Sequence, residues 1–484
     1  MSAAIQGLEP ALVWKYFAAF SRIPRCSKHE EAAAAYVVDT ARKLGLEARQ
    51  DAAGNVLVKK PASRGRERTP SVCLQGHLDM VCEKNADVKH DFAKDPIELV
   101  RKGDTLMANG TTLGADNGIA VATNLAIMED RSLEHGPLEL LFTIDEETGL
   151  TGAHRLEPGF VESRTLLNLD SEEEGALYVG CAGGKDTTGT WDVAFEPAPA
   201  KSAALEVKVS GLKGGHSGME IHQGRGNAIK ILNRVLLGLD DLGARLARID
   251  GGNKRNAIPR EAQALVCVPV AKVDAAKSIV AEWHATVRSE LGSVEPDVSV
   301  TCVDVKGRKV SVMKRRVQRQ VSQVIAALPH GVAKMSADIP GLVETSTNVA
   351  VITTKGKKVT LGTSQRSSVA SEIQEIAHTV KTIMELGGAT VMQGDGYPGW
   401  KPDMGSQILK TAKATYKRLY GKEPEVKAIH AGLECGIIGE KYPGIDMLSF
   451  GPTLEGVHSP DEKIFVNTVP KFWEFLLATL KSAG

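Results

Sequence analysis

The chain has 484 residues, 42% hydrophobic and 24% charged, with 59 Lys+Arg set against 59 Asp+Glu. A single hydrophobic core stops growing near ~250–300 residues, so two domains are expected. A net charge of zero argues against nucleic acid or an anionic membrane as the main partner, because either selects for a basic excess. Residues 1–20 lack a basic start, an uninterrupted apolar stretch and a cleavage site, and they read as an amphipathic helix rather than a signal peptide. No apolar run approaches the ~18 residues that a membrane span needs. Ser27-Lys28-His29-Glu30 has the spacing of a capping box, with a hydroxyl three residues before a carboxylate, and the helix after it stops near Gly45. A short apolar strand at 72–74 leads into Gly76-His77-Leu78-Asp79. Helical periodicity occupies 115–128, and apolar strands follow at 138–144 and 166–169. Short apolar strands alternating with helices predict a doubly wound, mostly parallel α/β sheet, with ligands gathering at the strands' carboxyl ends.

The character changes near residue 187. From there to 394 the strands alternate in polarity, as in LEVKV at 205–209 and KVTL at 358–361, with helices near 227–239, 272–288, 315–328 and 369–386. After 395 the α/β pattern returns, with a helix near 404–419, strands near 426–429 and 446–450, and a last helix from about 470. The expected architecture is a discontinuous α/β domain (1–186 and 395–484) interrupted by an inserted α+β lid domain (187–394). The seven cysteines are widely spaced and contain no CxxC pair, so a disulfide framework is not expected and a reducing, cytoplasmic setting fits.

Three segments share one grammar: VCLQGHLD, LFTIDEE and LLNLD each end an apolar strand directly in acidic or imidazole side chains. Taken singly, each candidate has a plain structural explanation. Asp116 in GADNG reads as a helix cap, Glu146-Glu147 as a helix start favoured by the dipole, Asp170 as the head of an acidic loop, and His458 as surface. Taken together they gather carboxylates and imidazoles at one sheet edge. Clustered carboxylates resist burial unless a cation neutralises them. Mixed imidazole and carboxylate donors suit zinc, cobalt or manganese. Two ions ~3.5–4 Å apart need a shared ligand, and a carboxylate supplies one.

The order HxD, then Asp in a GADNG turn, then Glu-Glu, then Asp, then a C-terminal His resembles the M20 metallopeptidases. GHLDMVCEK, NGTTLGADNGIA, LFTIDEETGLTGA, NLDSEEEG, GGHSGMEIHQGRGNAI, IHAGLECG and GPTLEGVHSP resemble the bacterial cytosolic dipeptidase branch, over almost the whole chain. The resemblance implies two divalent ions, zinc above all, with cobalt or manganese as alternatives. His77 and Asp170 would hold one ion, Glu147 and His458 the other, and Asp116 would bridge them. Asp79 would orient His77, and Glu146 would be the general base. From the lid, His216 would stabilise the oxyanion, Arg366 would take the substrate carboxylate, and Asn348 and the Gly432-Leu433-Glu434 turn would line the pocket. His222 reads as surface. The implied activity is hydrolysis of dipeptides, including Xaa-His and β-Ala-His. A tripeptidase or aminoacylase-type amidohydrolase is the alternative. The large lid implies a self-contained site, in a monomer or in a homodimer formed through the lid.

Overall fold

The computed structural model describes residues 3–306 and 310–483. The chain divides into two compact units. The first is Met1–Gly180, Trp400–Ala428 and Leu433–Gly484, and the second is Cys181–Gly399 and Ile429–Gly432. The sequence pattern changes at 186/187 and 394/395, whereas the packing divides at 180/181 and 399/400. The difference has a plain cause: strand pairing in the second unit already runs from Gly183, opposite Ser367, and Gly184 pairs with Tyr397.

An eight-stranded sheet organises the first unit. Its order is Glu47–Gln50, Val56–Lys60, Leu138–Thr143, Val72–His77, Thr165–Asn168, Asp446–Ser449, Ala176–Cys181, Glu425–Ile429. The four strands from Leu138–Thr143 to Asp446–Ser449 run parallel, and antiparallel pairing flanks them on both sides. Leu138–Thr143 and Val72–His77 are buried at every position, so their apolar stretches come with buried polar side chains, Gln75, His77, Glu139 and Thr143. Helix Ala115–Glu129 packs against helix Ala11–Phe20 and strand Val72–His77. A separate four-stranded sheet joins Leu454–Glu455, Lys463–Phe465, Thr105–Ala108 and Leu99–Lys102. Among the described residues no helix is long and apolar enough to cross a membrane.

The second unit is built on a nine-stranded sheet whose pairings are antiparallel throughout. Helices Ala228–Asp240, Val273–Leu291, Arg315–Ala327 and Ala370–Leu386 share one core with it. Ile229, Leu232, Val235, Leu236 and Leu239 recur at helical spacing along the first of these, and that stripe is buried in the core.

Two expectations are corrected. Cys26 and Cys82 form a disulfide across 56 residues, set side by side by the backbone bridge between Cys26 and Met80. Cys73, Cys181, Cys267, Cys302 and Cys435 take no part in a disulfide. The Ser27–Glu30 capping box does not form either. The helix runs Glu31–Lys43 with no side-chain cap. Ser27 Oγ donates to Asp79 Oδ2 at 2.8 Å, and Glu30 Oε1 accepts from the amides of Lys28 and Asp145.

Candidate metal and catalytic site

The parallel strands of the first unit deliver their carboxyl ends to one place. Val72–His77 ends on His77, Leu138–Thr143 precedes Asp145-Glu146-Glu147, and Thr165–Asn168 precedes Asp170. Asp116 lies in the opening turn of helix Ala115–Glu129, where the backbone at Asp116 and Asn117 is not yet helical. His458 sits in the turn between Leu454–Glu455 and Lys463–Phe465. Asp145 and His458 both adopt left-handed backbone (φ 47° and 61°), a conformation that side chains other than glycine hold only where their surroundings impose it.

Distances divide these side chains into two sets. His77 Nε2 lies 3.1 Å from Asp116 Oδ1 and 3.3 Å from Asp170 Oδ1. His458 Nε2 lies 3.1 Å from Asp116 Oδ2 and 2.9 Å from Glu147 Oε2. Asp116 therefore turns one oxygen to each histidine. The donor atoms of His77, Asp116 and Asp170 lie within 4.8 Å of one another, as do those of Asp116, Glu147 and His458. Behind His77 stands Asp79, fully buried. Its Oδ1 meets His77 Nδ1 at 3.2 Å and accepts the Glu146 amide at 3.0 Å; its Oδ2 accepts Ser27 Oγ and the Glu147 amide at 3.2 Å.

These groups fit a bound cation. Glu147 Oε1 is buried with no hydrogen-bond partner, and both ring nitrogens of His77 face carboxylate oxygens although a neutral imidazole carries one N–H. Without an ion the charges must compensate one another. Burial pulls the His77 pKa down, but Asp170, Asp116 and Asp79 outweigh it and hold it well above the ordinary value. Asp116 and Glu147 push His458 up to about 11. Burial raises Asp170 to about 6 against the pull of His77, and raises Glu172, beside Asp116 and Asp170, to about 8. Burial also lifts Glu146 well above the carboxylate range, with Asp170, Glu434 and Glu147 adding to it. Against the cost of burial, His458 and His77 hold Asp116 below the carboxylate range, while Asp170, Glu172 and Glu146 stay above it, so the two imidazoles do not supply enough positive charge for the whole set.

Several contributors carry no motif that singles them out. Ser27 is hidden inside an apparent capping box. Arg25 and Glu462 are buried charges of ordinary local sequence. Glu434 Oε2 accepts from Gln75 Nε2 and Thr143 Oγ1, both at 2.6 Å, its Oε1 has no partner, and burial lifts it to about 7. It belongs to the Gly432-Leu433-Glu434 turn that the sequence set against the pocket, and it opens helix Glu434–Lys441.

The second unit holds the remaining candidates. His216 Nδ1 accepts from the amides of Met219 (3.0 Å) and Gly218 (3.3 Å), which leaves Nε2 as the protonated nitrogen of a neutral ring. Arg366 is 7% exposed; its Nη1 donates to Tyr397 Oη at 3.0 Å and its Nε has no partner. A Cβ at Gly432 would stand 2.9 Å from the Tyr397 ring, so glycine makes room for the phenol. Asn348 is buried and spends its amide protons on the carbonyls of Ala257 and Arg255. His430 is buried with Nε2 2.7 Å from Ser346 Oγ, and burial, with Arg366, His216 and His222 adding, holds it down to about 3. His222 is exposed.

Residues 73–482 match the model of peptidase family M20/M25/M40. The chain belongs to that family. By that membership this M20 enzyme is a peptide-bond hydrolase. It is 42% identical to the cytosol non-specific dipeptidase of Escherichia coli (strain K12) over 475 residues, 98% of each chain. The crystal structure of aminoacylhistidine dipeptidase from Vibrio alginolyticus superposes with a TM-score of 0.90 at 44% identity, covering 99% of this chain and 97% of that one. Aminopeptidase PepT from Bacillus cereus, at 15% identity and a TM-score of 0.56 over 98% of this chain and 99% of that one, shares the fold.

Proposed function

We propose that this M20 enzyme hydrolyses the peptide bond of dipeptides, using two divalent cations held by His77 and Asp170 on one side and by Glu147 and His458 on the other, with Asp116 shared. The observation that carries this reading is the disposition of Asp116, one oxygen toward each histidine. Zinc, cobalt and manganese all suit the donors. Bound there, the ions supply Lewis acidity, polarising the scissile carbonyl and making a water acidic enough to give up a proton near neutral pH.

The chain's own groups do the rest. Glu146 takes the proton of the attacking water and passes it to the leaving amine, a task suited to a carboxyl group that burial holds above the ordinary carboxylate pKa. Asp79 holds the His77 ring with Nδ1–H inward, so that Nε2 presents its lone pair. His216, with its proton on Nε2, has the polarity of an oxyanion donor. Arg366 offers a planar fork for a terminal carboxylate, and its unpartnered Nε supports that role. Asn348 has only its Oδ1 left for a substrate. Gly432 admits Tyr397 beside Arg366.

The choice of dipeptides, broad in side chain and including Xaa-His, is supported by the two similar enzymes, one named for non-specific and one for aminoacylhistidine substrates. A cytosolic location and a monomer or lid-mediated homodimer belong to the same reading. The test is a panel of dipeptides, tripeptides and N-acetyl amino acids, run on chelated protein reloaded with single metals. Glu146→Gln should keep two ions per chain and lose about 10²–10⁴-fold in turnover. Turnover unchanged in that variant, or fewer than one ion in active wild-type protein, refutes the assignment.

A further inference from the structure

Asp116 and His458 are 342 residues apart, yet their side chains meet at 3.1 Å. The main chain alone does not bring this about, because His458 sits in an exposed turn and Asp116 at an irregular helix start. The link is made four residues beyond His458. Glu462, 2% exposed, turns into the segment before the helix. Its Oε2 accepts the amides of Leu113 (2.7 Å) and Gly114 (2.9 Å), and its Oε1 accepts those of Ala115 (2.8 Å) and Asp116 (3.2 Å). Four consecutive amides thus clasp one carboxylate. The same turn is anchored below, because strand Lys463–Phe465 pairs with Thr105–Ala108.

Arg25 grips that segment from another side. Also 2% exposed, it donates from Nη2 to the Gly114 carbonyl at 2.5 Å and from Nη1 to the carbonyls of Asp79 (2.9 Å) and Leu78 (3.2 Å). A Cβ at Gly114 would stand 2.5 Å from Arg25 Nη2, and one at Gly118 2.8 Å away, so both glycines of the GADNG turn make way for the guanidinium. Residues 113–116 are therefore tied by Glu462 to the turn that carries His458, and by Arg25 to the segment that carries His77 and Asp79.

We propose that Glu462 and Arg25 are positioning residues which set the separation of Asp116 from His458 and from His77, so that the ligand set stands ready before a cation arrives. A carboxylate and a guanidinium are costly to bury, and plain adhesion of two loops would not require charge. Charge-assisted bonds to several amides at once fix a position more tightly than neutral ones. This inference rests on the two-cation reading of the site.

The experiment uses full-length, metal-stripped protein. Glu462→Gln, Glu462→Asp and Arg25→Lys are compared with wild type by thermal unfolding without metal, by competition titration with Zn²⁺, and by the visible absorption spectrum of the Co²⁺ form. Leu57→Ala, a core change on strand Val56–Lys60, serves as a control for lost stability. The expected result for Glu462→Gln is a folded chain whose Zn²⁺ binding is weaker by about 10–100-fold, with an altered Co²⁺ spectrum and kcat lowered more than KM is raised. Glu462→Asp should recover part of the affinity. Should Glu462→Gln fail to fold, Arg25→Lys and Glu462→Asp carry the same readouts. The inference is overturned if the folded variants keep wild-type affinity and spectrum, or if Leu57→Ala weakens Zn²⁺ binding as much at equal loss of stability. A wild-type chain that takes up only one ion overturns the parent reading instead.

Discussion

Replacing Asp79 by asparagine probes the site at a residue not assigned to touch a metal. The carboxylate accepts four hydrogen bonds, two on each oxygen. Asparagine keeps the shape but has one acceptor oxygen and one NH₂. With its NH₂ on the Oδ1 side it would oppose the Glu146 amide and turn the His77 proton to Nε2, removing the lone pair that points at Asp116 and Asp170. With its NH₂ on the other side it opposes the Glu147 amide, while the Ser27 hydroxyl can rotate to accept. The second arrangement is cheaper, and still leaves one buried amide unsatisfied at about 1–3 kcal/mol and weakens a charge-assisted bond worth about 1.5–3 kcal/mol. A net loss of about 3 kcal/mol corresponds to roughly 10²-fold, at about 1.4 kcal/mol per factor of ten. Metal affinity, read by chelator competition, should fall by about 10–100-fold, the usual effect of removing the partner of a ligating histidine, with turnover falling alongside. Ser27→Ala removes one neutral donor and should cost about 1 kcal/mol, under tenfold. Wild-type metal affinity in Asp79→Asn, or an equal loss in Ser27→Ala, would refute the account.

Three other outcomes are expected. Arg366→Ala should raise KM for dipeptides and change little for C-terminally amidated ones, which carry no carboxylate; equal losses on both, in steady-state assays, remove Arg366 from that role. His430 is held neutral, its folded pKa about 3 against ~6.5 unfolded, so the unfolded chain takes up the proton first. Its stabilisation is complete above pH ~6.5 and is lost as pH falls toward 3, on the order of 5 kcal/mol at most. Denaturant titrations of His430→Gln should show a shallower fall across that window than wild type, and parallel curves would contradict it. Chelation should lower the thermal midpoint, because each ion at a hundred times its Kd adds about 2.7 kcal/mol to the folded state; a midpoint indifferent to chelator would mean that no ion is bound under those conditions.

The sheet of the first unit was legible because its central strands are buried along their length and carry short apolar stretches, VCL at 72–74 and LLF at 140–142. Strands whose ends carry acids and histidine announced a site for the same reason: a charge directly after a buried run has nowhere to go but the sheet edge. The edges of the units were less legible. Alternating polarity marks strands, not the unit that receives them, so Gly183 and Tyr397, paired with the second sheet through backbone bonds, gave no signal in their side chains. The disulfide stayed hidden because 56 residues separate cysteines that only the fold sets side by side.

Side chains that hold the proposed ligands were less legible than the candidates themselves, and the reason is physical. A ligand set must be chemically distinctive, since few residue types bind a divalent cation. A support needs only to meet backbone, and backbone is the same everywhere. Glu462 reads as an unremarkable acid after a Pro-Asp turn, and Ser27 imitates a capping box so well that its hydroxyl is assigned to the wrong partner. What distinguishes each is the count of amide and carboxylate partners it meets across the fold, four amides for Glu462 and one buried carboxylate for Ser27. That count exists only in three dimensions. Substitutions at these supports should therefore separate metal affinity from the identity of the ligands, which changes at the ligands themselves cannot do.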